Sequence, residues 1–142
     1  MKIMIVEDEA LLALELELEV EAAGHVVVGT AASRKAAFDI IEASTPEFAF
    51  VDVHLSDGPS GIEIGRRLAE REVPFVFVTG NVKRIPEDFV GAIGAIEKPY
   101  TMNGLQNALT YISEQVAGGQ VANPPPGLIL AKGQAVQNDA TS

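Results

Sequence analysis

The chain has 142 residues, 47% of them hydrophobic, no cysteine and a formal net charge of -10. That length fits one domain with a real core plus an appendage. The acid excess opposes direct binding to nucleic acid or anionic membrane, and the lack of cysteine excludes a disulfide framework, zinc-finger spacing and a thiol nucleophile. The opening apolar run from Met1 to Val6 meets Glu7-Asp8-Glu9 too soon for a signal peptide, and no stretch approaches the roughly 20 apolar residues of a membrane span. A soluble, cytoplasmic protein is expected.

Lys2 to Val6 reads as a first strand. From Ala10 to Ala23 the alternation Leu14-Glu-Leu-Glu-Leu-Glu-Val-Glu21 has the period of a half-buried strand. The length of the stretch, its Leu, Glu and Ala content and Gly24 at its end favour a helix instead. At helical spacing Leu11, Leu14 and Leu18 form one stripe, and Leu12, Leu16 and Val20 another. Only one needs to face a sheet. Val26 to Ala31 is a second strand, and Ser33 is an N-cap candidate for a helix to about Ala43.

Phe48 to Val53 is a third strand, apolar enough to be central and buried, and Asp52 stands at its carboxyl end. His54 to Ser60 is a loop, Gly61 to Glu72 a helix, and Pro74 to Thr79 a fourth strand. Gly80 to Pro86 reads as a loop, with at most a short helix from Pro86 to Val90. Ala92 to Glu97 is a fifth strand, and Thr101 to Ala117 a last helix with Leu105, Ala108, Leu109, Ile112 and Val116 on one face. Five alternations of strand and helix imply an α/β fold, a doubly wound parallel sheet with right-handed crossovers. Residues 1-117 form this domain, and residues 118-142 a Gly/Pro-rich tail.

Four strand ends carry functional groups: Glu7 and Asp8, Asp52, Thr79 and Lys98. In a doubly wound sheet those ends share the edge where ligands bind. Three clustered carboxylates repel, each pair at about 4 Å by roughly 1 kcal/mol in water and about 4 at an effective dielectric near 20. Lys98 offsets one charge, and Mg²⁺ suits a shell of carboxylate, carbonyl and water oxygens. Such a site is arranged for phosphoryl transfer, with Asp52 as nucleophile, Asp8 and Asp52 as metal ligands, and Thr79 and Lys98 on the phosphoryl oxygens.

Val6-Glu-Asp-Glu9, Val51-Asp-Val-His-Leu55, Thr79 and Lys98-Pro-Tyr100, in this order, resemble the response-regulator receiver family over residues 1 to 117. The resemblance implies a flavodoxin-like, CheY-like five-stranded sheet of order 2-1-3-4-5, with Asp52 as phosphoacceptor. It implies a metal site formed by the acidic pair Glu7 and Asp8, by Asp52 and by the backbone carbonyl of His54. It further implies a cis Lys98-Pro99 bond, a histidine kinase or His-containing phosphotransfer protein as phosphate donor, and a downstream protein target. The only catalysis expected is the chain's own phosphorylation and dephosphorylation. A homodimer is left open.

Four features depart from the family. Ala95 stands where the usual switch aromatic would fall, Ser56 replaces a common Pro, Gly61 follows a slightly longer loop, and Gly80 to Gly91 leaves little room for a full fourth helix. Phe77-Val-Thr-Gly80 resembles the start of the signature of the receiver subclass known as FATGUY. Activation is therefore expected to reorganise the loop from Thr79 to Gly91 rather than rotate an aromatic ring. The alternative function is a receiver-like scaffold acting without phosphorylation. In the tail, low charge and Gly, Pro, Gln and Asn content favour disorder, against docking of Leu128-Ile-Leu130 beside the fourth and last helices.

Overall fold

In a computed structural model, residues 1-118 and 123-131 are described. They form β1 (Lys2–Val6), α1 (Ala10–Ala22), β2 (Val26–Ala31), α2 (Arg34–Ser44), β3 (Phe48–Asp52), α3 (Gly61–Glu70), β4 (Phe75–Thr79), β5 (Gly94–Glu97), α4 (Met102–Val116) and β6 (Leu128–Leu130). The sheet order is β2-β1-β3-β4-β5-β6. The first five strands are parallel, as the βαβ alternation requires, and β6 is antiparallel to β5. No described helix is long and apolar enough to cross a membrane.

The core has two layers, because successive side chains of a strand point to opposite faces. Met4, Val6, Ala49, Val51, Phe75 and Phe77 pack with Ala37 and Ile41 of α2 and Ile64 and Leu68 of α3. Ile3, Ile5, Phe48, Phe50, Val76 and Val78 pack on the other side with Leu16 and Val20 of α1 and Leu105, Leu109 and Ile112 of α4. Each layer contains one edge-to-face aromatic pair, Phe75 with Phe77 and Phe48 with Phe50, at centroid distances of 5.3 and 5.2 Å. Burying β3 and β4 on both faces explains why their sequences are almost wholly apolar.

The period-2 stretch is helical throughout. Its two leucine stripes lie on opposite sides of the cylinder: Ala13, Leu16 and Val20 are buried, while Leu11, Leu14 and Leu18 are exposed. α2 begins as the sequence indicates, with Ser33 Oγ accepting the Ala36 N–H, and Thr101 caps α4 by accepting the Gly104 N–H. Each cap satisfies an N–H that the first turn leaves without a partner.

Several expectations need correction. The loop expected from Gly80 to Pro86 contains a 3₁₀ turn at Val82–Arg84, and where the sequence allowed at most a short helix, from Pro86 to Val90, there is a second 3₁₀ turn at Phe89–Gly91. Phe89 and Val90 have positive φ, which an α-helix cannot contain, and Asn81 and Asp88 each cap one turn through their side chains. β3 stops at Asp52, α3 stops at Glu70 and β5 starts at Gly94. Leu128-Ile-Leu130 is not disordered but docks on the receiver, as a sixth strand on the β5 edge with Leu128 packed in the layer of the last helix. The backbone groups of β5's outer edge explain this, because a strand satisfies them as a helix face does not.

Gly61 positions the end of β3. A Cβ at this residue would stand 2.0 Å from the Asp52 carbonyl oxygen and 2.6 Å from Val53 Cα, both backbone atoms. Gly61→Ala is expected to destabilise the protein by about 1–3 kcal/mol, as overpacking against an unyielding neighbour does. Urea unfolding of both proteins checks this.

Candidate functional site

The carboxyl ends of β1, β3, β4 and β5 meet at one edge, as parallel pairing in register demands. Val6 is opposite Val51, Asp52 opposite Val78, and Thr79 opposite Glu97. Glu7, Asp52 and Thr79 are buried and Asp8 is exposed. One carboxylate oxygen from each of Glu7, Asp8 and Asp52 falls within a 4.8 Å group.

Lys98 joins the acids. Its ammonium donates to Glu7 Oε1 at 2.7 Å and to Asp52 Oδ2 at 2.9 Å. Burial pulls the Lys98 pKa down, but the hydrogen bonds and charges of Glu7 and Asp52 outweigh it, so the net shift is upward. Three carboxylates facing one ammonium leave two negative charges uncompensated. The donor set is all oxygen and hard, which fits Mg²⁺ and offers nothing to a soft metal.

Thr79 Oγ1 accepts the Asn81 N–H at 3.2 Å, and its carbonyl accepts the Lys98 N–H at 2.8 Å. This backbone bond ties the residue that carries the hydroxyl, at the end of β4, to the residue that carries the ammonium, just beyond β5. Lys98-Pro99 is cis, in agreement with the expectation. Tyr100 is half-buried beside it, and burial raises its phenol pKa.

His54 lies two residues beyond Asp52, with its side chain turned outward. Its Nε2 is 3.0 Å from an Arg84 guanidinium nitrogen. Guanidinium only donates, so Nε2 accepts and the ring proton sits on Nδ1. Sequence reasoning missed Arg84, because contact between residues 30 apart in two loops leaves no periodic signal. It also missed how the loop after Asp52 is tied. Ser56 donates its hydroxyl to the Ala32 carbonyl at 2.8 Å, and Asp57 accepts from the Arg34 N–H and the Ser60 hydroxyl.

Residues 3–110 match the response regulator receiver domain. The chain belongs to this family. It is 40% identical over 85 residues to the Phyllosphere-induced regulator PhyR of Methylorubrum extorquens, a match covering 58% of this chain and 32% of that protein. The chain thus spans about a third of the length of that curated relative. The receiver domain of Erythrobacter litoralis PhyR superposes with a TM-score of 0.72 at 27% identity, covering 86% of this chain and 93% of the other. SdrG from Sphingomonas melonis Fr1 superposes with a TM-score of 0.62 at 33% identity, covering 77% and 92%. Receiver domains typically hold Mg²⁺ in an acidic pocket, and Glu7, Asp8 and Asp52 form an acidic cluster here.

Replacing Lys98 removes the cluster's one internal cation. Lys98→Met in metal-free buffer at pH 7 is expected to cost about 1–3 kcal/mol, because two buried carboxylates lose their charged partner. Urea unfolding of both proteins checks this.

Proposed function

We propose that the chain accepts a phosphoryl group on Asp52 from a histidine kinase or a His-containing phosphotransfer protein, and signals through protein contacts. The observation that carries this reading is the Lys98 ammonium bonded to both Asp52 and Glu7, with Asp8 completing the acidic group. An Asp52 oxygen attacks phosphorus, the phosphorus–nitrogen bond of the donor phosphohistidine breaks, and the imidazole nitrogen keeps the electron pair. Lys98 and the Thr79 hydroxyl then bind the phosphoryl oxygens.

Glu7, Asp8, Asp52 and the His54 carbonyl are the proposed Mg²⁺ ligands. When bound, the ion offsets the charge of acids and phosphoryl oxygens together, which is the main requirement of this reaction. Drawing the Thr79 hydroxyl toward a phosphoryl group would remove it from Asn81, the cap of the first 3₁₀ turn. The segment from Gly80 to Gly91 is thereby biased toward a second arrangement.

Incubation with acetyl phosphate and Mg²⁺ should add one phosphoryl group to the wild type and none to Asp52→Ala. Undiminished labelling of the variant rejects the assignment. Hydrogen exchange with a phosphate mimic should change between Gly80 and Gly91, and unchanged protection there contradicts the proposed switch.

The exposed stripe Leu11, Leu14 and Leu18 supports a helical donor surface. Glu15 flanks it on one side and Glu17 and Glu21 on the other, so an apolar helix with basic flanks fits it and a second acidic copy does not. Leu14→Ser combined with Leu18→Ser should slow transfer from a protein donor at least tenfold. Labelling by acetyl phosphate should be unaffected.

A further inference from the structure

β6 is the one antiparallel strand of the described sheet, and it lies beyond the residues that match the receiver family. Leu130 pairs with Gly94, Ile129 with Ala95 and Leu128 with Ile96, and the Ala131 N–H donates to the Ile93 carbonyl at 3.0 Å. Leu128 and Ala131 are buried, while Ile129 is 39% exposed. Leu128 joins the α1/α4 layer and Ala131 the α2/α3 layer, so this short strand finishes the edge of both.

Gly94 shows that the β5 edge is shaped for a strand. A Cβ there would stand 2.2 Å from the Ile129 carbonyl oxygen, 3.0 Å from Ile129 C and 3.1 Å from Leu130 Cα. All three atoms belong to β6. Gly94 is not among the glycines with positive φ, so its backbone does not call for glycine. What its missing side chain provides is room for the incoming backbone.

None of these contacts requires that the strand come from the same chain. A second copy carries the same Leu128–Leu130 and would make the same pairs. Residues 117–127 connect α4 to β6, and 11 residues reach at most about 36–40 Å when extended, against a radius of gyration of roughly 13 Å for a domain of about 100 residues. A strand of three residues leaves its sheet more readily than the fold unravels. The vacated edge then presents unpaired backbone groups, for which the same strand is the fitting partner. We infer that β6 is exchangeable: the β5 edge of one copy takes Leu128–Leu130 of a second copy, joining the two chains.

Complementary full-length variants test this. Gly94→Ala blocks the accepting edge but leaves the strand intact. Leu128→Asp disables the strand but leaves the edge intact. Neither residue belongs to the phosphoryl site; circular dichroism of each variant reports that it is folded, and acetyl phosphate labelling tests the function proposed above separately. By analytical ultracentrifugation at tens of micromolar, each variant alone should be monomeric, and an equimolar mixture should form a one-to-one complex. As a second measurement that does not depend on Gly94→Ala, a labelled peptide of residues 123–131 should bind Leu128→Asp at least tenfold more tightly than the wild type, whose own strand competes at high effective concentration. A mixture that stays monomeric, or a peptide that binds neither protein, overturns the inference.

Discussion

The contact on which the site depends is the Lys98 ammonium, held between Glu7 and Asp52. Two nearly buried carboxylates close together are costly, since each loses water and repels the other. A cation between them makes the arrangement tolerable, and Lys98 reaches them from the end of β5 while both acids come from the ends of inner strands. Asp8 adds a third charge that Lys98 does not balance. The edge therefore carries an excess of negative charge.

The sheet makes this convergence unavoidable. Parallel strands in register bring all their carboxyl ends to one side, and the order β2-β1-β3-β4-β5 puts β1, β3, β4 and β5 next to one another there. Different side-chain sizes on the two faces of β3 fix its register, because a one-residue slip would exchange Phe48 and Phe50 with Ala49 and Val51 and spoil the packing of both layers. Gly61 then allows the loop after Asp52 to cross its backbone closely. Packing far from the edge thus fixes where the charges sit.

Much of this was legible in the sequence because it rests on local rules. Short apolar runs ending in Asp52, Thr79 and Lys98 show strands and site together, and Ser33 and Thr101 mark helix starts. The alternation in α1 was ambiguous because its glutamates interleave two leucine stripes, and only burial shows that one faces the sheet and the other solvent. The 3₁₀ turns between β4 and β5 were less visible, since positive φ at Phe89 and Val90 is imposed by tertiary packing against local preference. β6 was missed for a different reason. A three-residue strand has no period to read, and what selects it is the exposed edge of β5 and the missing Cβ of Gly94, features of another part of the chain.

The central claim is that the edge carries a charge deficit matched to a divalent cation, and titration calorimetry with Mg²⁺ tests it most directly. One saturable site is expected in the wild type, with affinity falling at least tenfold in Asp8→Asn, which removes a charge without disturbing the Lys98 contacts. No saturable binding, or equal affinity in the two proteins, would contradict the account.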